Sequence, residues 1–383
     1  MKEGVHAMDF PFYRAEDRAL DKLLEQTTLL KDVDPERLTR PDCVKTYEVT
    51  YPTTLYSFLH EAAVIEYHGT LFASWYNCPQ TELHGDTPIR GKRSHDGGKT
   101  WTDTEVLARD ESGKILYCPP VYGICGDRLY LMMNEMVAPD HIHALDLYIY
   151  NEETERFEFL WSRPIPFKLN TNVYQLPNGK LMLPGRIAEL DGFPNTPAVL
   201  ISDSGKIDDE WRLVMIQPDG ALPDGSKLVH PELSAIVQGE DVYMFCRDDE
   251  RRVPLIYISH DCGETWSAPM AHDIPFCNAK IYSGTLSDGR NYVMGNIFPP
   301  DVTPETGYPR RNRLAAFFSR PNTMIFDKGI IVEEDRSPDL LYGADWAYPV
   351  ACEADGTLYV IYSSVIEGSF RGAALSAIDL KAL

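Results

Sequence analysis

An eight-residue segment occurs twice, as SHDGGKTW from Ser94 to Trp101 and as SHDCGETW from Ser259 to Trp266. A recurrence of this kind restricts the chain to architectures assembled from copies of one unit. The shared pattern is Ser-x-Asp-x-Gly-x-Thr-Trp. Weaker copies begin at Ser202 (SDSGKIDDEW) and Ser319 (SRPNTMIF). The intervals between the four starts are 108, 57 and 60 residues, so the first spans two units and one unit is roughly 55 residues long. Asp96 and Asp261 suit a tight turn, accepting backbone N–H bonds where Gly98 and Gly263 relax the chain, with Trp101 and Trp266 packed behind. The motif therefore predicts a structural hairpin, not a catalytic one.

Between the copies the chain breaks into short apolar runs rich in β-formers, such as GTLFASWY at 69–76, DVYMFCR at 241–247 and TLYVIYSS at 357–364. Turn pairs such as Asn178-Gly179, Asp288-Gly289 and Asp355-Gly356 punctuate them. A unit of this length fits a four-stranded antiparallel blade, and the 341 residues from Cys43 onward hold about six. The expected fold is all-β, a six-bladed β-propeller, with five or seven blades as alternatives. Closing the ring would pair the last strand, near Ala374 to Leu380, with a strand from the other end of the chain. Leu20, Leu23, Leu24 and Leu30 recur at helical spacing, which predicts a helix from Arg14 to Leu30. The expected organisation is a helical extension over 1–42 and the propeller over 43–383.

Composition narrows the partners. Fifty-eight acidic against 36 basic side chains give a net charge of -22, a field that repels phosphate backbones and anionic lipid, so neither nucleic acid nor membrane is expected. Eight dispersed cysteines, with no Cys-x-x-Cys and no zinc-type spacing, read as reduced and mostly buried. His141-x-His143 would suggest a metal only with a third, converging ligand. The chain lacks a Gly-rich phosphate loop, and no cofactor is expected. Neither a signal-peptide core nor a run of 18 apolar residues is seen, which predicts a cytoplasmic protein.

From about Tyr56 to Leu380 the chain resembles the sialidase superfamily, whose propeller blades carry this Asp-box hairpin. That resemblance implies a site on the propeller axis with three carboxylate-gripping arginines, a tyrosine nucleophile served by a glutamate, and an acidic proton donor. PELSAIVQGEDVYMFCRDD matches the stretch with the glutamate and one arginine, which gives Glu232 and Arg247. RNRLAAFFS implies Arg313 as another arginine, with Arg311 as neighbour. YPVACEADGTLYVIYS implies Tyr348 as nucleophile, although Pro349 stands where sialidases usually have Ser. The first blade departs from the pattern: HEAAVIEYHGTLFASW puts His60 and Glu61 where the first arginine would stand. In the following loop Glu82, His84 and Asp86 compete as proton donor, with Arg90 and Arg93 close by.

The residues themselves add Arg186 at a strand end in LMLPGRIAEL, and Lys280, Tyr282 and Ser283 in NAKIYSG, as polar groups able to face a central funnel. A phenol of ordinary pKa about 10 needs a base to attack at neutral pH, and Glu232 beside Tyr348 would supply one. The resulting expectation is a retaining exo-glycosidase acting on a terminal, acidic or strongly polar sugar, with Tyr348, Glu232, His60 and Asp86 as catalytic candidates. Arg247, Arg313, Arg186, Arg90, Glu61, His84 and Tyr282 are the binding candidates. Alternatives are a uronate-specific lyase using His or Tyr and a non-catalytic carbohydrate-binding propeller.

Overall fold

The computed structural model describes residues 25–139, 141–188, 195–217, 222, 228–249, 254–298, 311–335, 345–367 and 370–383. Their strands form six antiparallel sheets. Blade I comprises Phe58–Tyr67, Thr70–Cys78, Ile89–Ser94 and Glu105–Ala108, and blade II Leu116–Ile124, Leu129–Ala138, His141–Asn151 and Arg156–Arg163. Blade III has a broken inner strand, Phe167–Leu169 and Tyr174–Gln175, followed by Leu181–Ile187, Thr196–Ser202 and Arg212–Met215. Blade IV comprises Leu233–Gln238, Asp241–Cys246, Leu255–Ser259 and Met270–His272. Blade V comprises Tyr282–Thr285, Asn291–Asn296, Arg313–Ser319 and Phe326–Glu334. Blade VI takes Asp345–Ala354, Thr357–Glu367 and Phe370–Asp379 from the end of the chain, and its outermost strand, Val44–Thr50, from the beginning.

Middle strands are covered on both faces by neighbouring blades, so they need apolar or small residues throughout rather than alternating polarity. Leu181–Ile187, Thr196–Ser202 and Arg313–Ser319 are accordingly buried along their whole length. The outer strand Arg156–Arg163 is largely exposed. Ring closure follows the expected plan, with Val44 opposite Ile378 and Thr46 opposite Ser376 in antiparallel register. The inner strands of blades VI and I are thereby brought into contact.

Both strong repeats adopt one hairpin geometry. Asp96 accepts from the Thr100 backbone N–H (2.9 Å) and hydroxyl (2.7 Å), and Asp261 does the same for Thr265 (2.8 and 2.6 Å). The indole nitrogens of Trp101 and Trp266 donate to the carbonyls of Gly98 and Gly263. In all four copies the third residue after the serine is left-handed: Gly97, Gly205, Cys262 and Asn322 have φ of 72°, 70°, 58° and 56°. The weaker copies keep this turn but change its fastening. Asp203 pairs with Arg212 and Lys180 instead of bridging the turn.

The helical expectation for 14–30 is corrected where it can be seen; residues 14–24 lie outside the described residues. Glu25–Thr27 form a strand parallel to Met270–His272 on the outside of blade IV. Leu29 packs into the core beside Phe317, Phe326 and Ile331, with Leu30 partly buried against the same cluster. The leading segment then crosses blade V as a strap. Phe326 N–H donates to Leu29 C=O (2.8 Å), Ile331 N–H to Thr39 C=O (3.0 Å) and Arg40 Nε to Val332 C=O (2.8 Å). The described part of this segment is fastened to blades IV and V.

The hairpin carboxylates make a pH prediction. Bonds from Thr100 hold Asp96 down at about 2, below the ordinary value of about 3.9. A lowered carboxylate contributes stability that is full above its unfolded pKa and disappears as pH falls through the folded one. Urea midpoints of wild type should therefore fall between about pH 4 and pH 2, whereas Asp96→Asn should be less stable at neutral pH and show a shallower acid limb.

Candidate active site

Irregular backbone at one end of the inner strands builds the site. In blade I the pairing slips between His60 and Ala63, and in blade VI between Ala347 and Val350. The extra residues, Glu61 and Tyr348, have φ of 46° and 61°. A bulge turns a side chain out of the regular alternation, and left-handed backbone is costly for residues with a Cβ. Glu232 and Arg247 sit one step beyond the blade IV strands, held together by Arg247 N–H donating to Glu232 C=O (3.0 Å). Lys280 lies just before the inner strand of blade V.

These positions converge. Arg247 Nη1 donates to Glu232 Oε2 (2.7 Å) and to the Tyr348 hydroxyl (2.8 Å), while Nη2 donates to Asp249. On the other side, Lys280 Nζ is 3.0 Å from Glu61 Oε2 and 5.7 Å from the Tyr348 ring centroid. The Cys118 thiol approaches Glu61 Oε1 at 3.6 Å. Arg311 stands 5.3 Å from the centroid of the same tyrosine ring. His60 packs on Tyr348 with ring centroids 4.1 Å apart, and its Nδ1 is 2.8 Å from Ser363 Oγ. Five of the six blades contribute to this cluster, and Arg186 from blade III reaches Glu232 electrostatically.

Charge decides the protonation of each group. Burial would raise Glu232, but Arg247, Lys280 and Arg186 outweigh it and hold the carboxyl below its ordinary range. Tyr348 moves the other way: burial and Glu232 push the phenol well up, and Arg247 and Arg311 recover only part. Burial, then Arg371, Arg311, Lys280 and Arg247, push His60 well down, so its imidazole is neutral at physiological pH. The site thus sets an ionised carboxylate, a protonated phenol and a neutral imidazole within a ring of cations.

Of the sequence candidates, Glu232, Arg247, Tyr348, His60 and Glu61 come together, with Arg186 adjacent. Asp86 and Arg90 form a separate rim cluster. Asp86 accepts from Tyr56 (2.5 Å) and pairs with Arg109 (3.0 Å), and Arg90 lies over the Tyr56 ring (4.9 Å) and donates to Asn77. His84 is exposed, its ring against the Glu82 carbonyl. Glu82 has the clearer path inward: it accepts from Tyr76 (2.8 Å), whose ring packs edge-on to His60. Two candidates belong elsewhere. Arg313 points toward the outer strand and strap, pairing with Glu334 (2.9 Å) and donating to Glu36 C=O (3.3 Å). Tyr282 is a tie between blades, donating to Ala351 C=O (3.0 Å). Arg311 is nearer the tyrosine because it precedes the strand, where sheet pairing does not fix its direction. Asp249, Ser363 and Cys118 were not anticipated; for Asp249 the two-residue spacing from Arg247, which puts both on one side of an extended chain, is a readable signal.

The match to known proteins agrees with this architecture. Residues 69–361 match the BNR repeat-like domain family. The chain belongs to this family. Among solved structures, a protein of unknown function from Dyadobacter fermentans superposes with a TM-score of 0.67 at 16% identity, covering 88% of this chain and 99% of that one. Trypanosoma rangeli sialidase in complex with 2,3-difluorosialic acid, described as a covalent intermediate, gives 0.66 at 12% identity, covering 90% of this chain and 60% of its own. A mutant of a Streptococcus pneumoniae sialidase gives 0.60 at 12% identity, with 88% and 71% covered. This chain thus spans about 60% of the trypanosomal enzyme's length. No curated protein matches by sequence.

Placing Arg313 outside the site has a measurable consequence. Arg313→Met should lower stability to urea by about 3 kcal/mol, because Glu334 loses a buried partner, and the loss should appear in the equilibrium unfolding midpoint.

Proposed function

We propose that the chain is a retaining glycoside hydrolase that releases a terminal, anionic or strongly polar sugar. The observation that carries this reading is Arg247 Nη1, which touches both Glu232 and the Tyr348 hydroxyl. A protonated phenol and an ionised carboxylate share one guanidinium nitrogen, which sets the base beside the group whose proton it takes. Glu232 takes the phenolic proton, the phenolate attacks the anomeric carbon, and an acid protonates the leaving oxygen. Water then releases the sugar with its configuration retained. The 82–86 loop supplies the acid, and Glu82 is its first candidate because Tyr76 links it to His60.

Lys280 and Arg311 flank the nucleophile and suit an anionic or polar substituent. Glu61 stands where the family resemblance implies an arginine, so the grip differs from that of a three-arginine clamp. A second reading, β-elimination on a uronate, draws support from the neutral His60 packed against Tyr348, since those two groups can exchange protons with a substrate.

A panel of p-nitrophenyl glycosides and natural glycans tests the proposal. Tyr348→Phe should abolish turnover, and Glu232→Gln should reduce kcat by about 10²- to 10⁴-fold. Product NMR should show the substrate's own anomer first. The acid limb of kcat/KM should lie below about pH 4.3, because the base is held below its ordinary range. A product absorbing in the near ultraviolet would favour elimination, and a fully active Tyr348→Phe would end the hydrolase mechanism.

A further inference from the structure

An arginine that grips a substrate anion needs its fork open toward the ligand. The fork of Arg247 is turned to protein: the residue is 7% exposed, and three protein groups accept from its two terminal nitrogens, with the buried Nε left unbonded among the described residues. What closes it is a short chain of side chains running to the rim. Asp249 receives Arg247 Nη2 on Oδ1. Its other oxygen, Oδ2, is 3.2 Å from His230 Nδ1 and accepts the His230 backbone N–H at 3.1 Å. The His230 side chain is 42% exposed, whereas that of Asp249 is 11% exposed. The chain therefore leads from a solvent-accessible imidazole, through a buried carboxylate and a buried guanidinium, to the phenol oxygen.

We propose that Asp249, anchored by His230, is a positioning residue that fixes Arg247 against the Tyr348 hydroxyl, so that Arg247 serves the tyrosine rather than gripping the substrate. This rests on the reading of Tyr348 as nucleophile. When the phenolic O–H bond breaks, the proton passes to Glu232 and the electron pair stays on the phenolate oxygen, toward which Nη1 is already directed. A donor aligned before charge develops spares reorganisation at the moment of reaction. Burial works to protonate Asp249, but Arg247 and His230 hold it at about 2, so it remains an anion at neutral pH. Anchoring the substrate then falls to Arg311, the half-buried cation beside the tyrosine ring.

The test places 3-fluorotyrosine at position 348 and follows its ¹⁹F resonance in the otherwise native chain, with Asp249→Asn and His230→Ala compared at matched folding by circular dichroism. This readout needs no substrate. The proposal expects the resonance to move in Asp249→Asn and to move less, in the same direction, in His230→Ala. On the p-nitrophenyl glycoside that wild type turns over fastest, Asp249→Asn should lose about 10- to 100-fold in kcat, with KM changed less than about threefold. A resonance that does not move in folded Asp249→Asn overturns the proposal, as does a raised KM with kcat intact, which would make Arg247 a substrate grip. Failure of the underlying reading is separately visible, as activity surviving in Tyr348→Phe while the fluorine signal still responds to Asp249→Asn.

Discussion

The strand Val44–Thr50 holds the ring shut. Its antiparallel pairing with Phe370–Asp379 completes blade VI, and only in a closed ring does the inner strand of that blade lie beside the inner strand of blade I. The contacts of His60 with Ser363 and Tyr348 join residues about three hundred positions apart, and they exist because of that closure. The strap over 25–42 reinforces it by lying across the outer edges of blades IV and V before entering blade VI. Stability and the candidate site therefore share one dependence, since the covalent chain contributes nothing else that brings blades I and VI together.

Charge is distributed with a similar economy. An acidic protein of net charge -22 gathers Arg247, Lys280, Arg311 and Arg186 round one end of its axis. Buried cations are tolerable only when paired or bonded, and Glu232, Asp249 and Glu61 supply carboxylates for two of them. The result is an alternating lattice in which each carboxylate restrains a cation and each cation lowers the cost of a carboxylate. Such a lattice is sensitive to the removal of any single member.

The architecture was legible because the hairpin's chemistry is local: serine, aspartate, glycine and tryptophan act within eight residues, and their recurrence sets the unit length. Glu232 and Arg247 were legible through the family resemblance of PELSAIVQGEDVYMFCRDD, and they flank two paired strands. Arg313 could not be distinguished from Arg311 in RNRLAAFFS. Which arginine turns inward depends on where the strand begins, and that boundary is set by the partner strand Phe326–Glu334, where Arg313 lies opposite Glu334, rather than by the residues themselves. At the end of the predicted helix, Glu25–Thr27 pair with Met270–His272, a partner about 245 positions away that three- and four-residue spacing cannot reveal. The proton donor stayed open because Glu82, His84 and Asp86 lie in a loop whose contacts, with Tyr76, Tyr56 and Arg109, come from side chains whose approach the local sequence does not encode.

Glu61 and Tyr348 occupy left-handed backbone that glycine would adopt without steric penalty. Glycine at both positions would relax the inner strands while erasing two side chains that the neighbouring blades I and VI bring to the site. Their left-handed backbone makes the pair a marker: a propeller of this type with glycine at both places would close its ring as well and lack the tyrosine on which the candidate site turns.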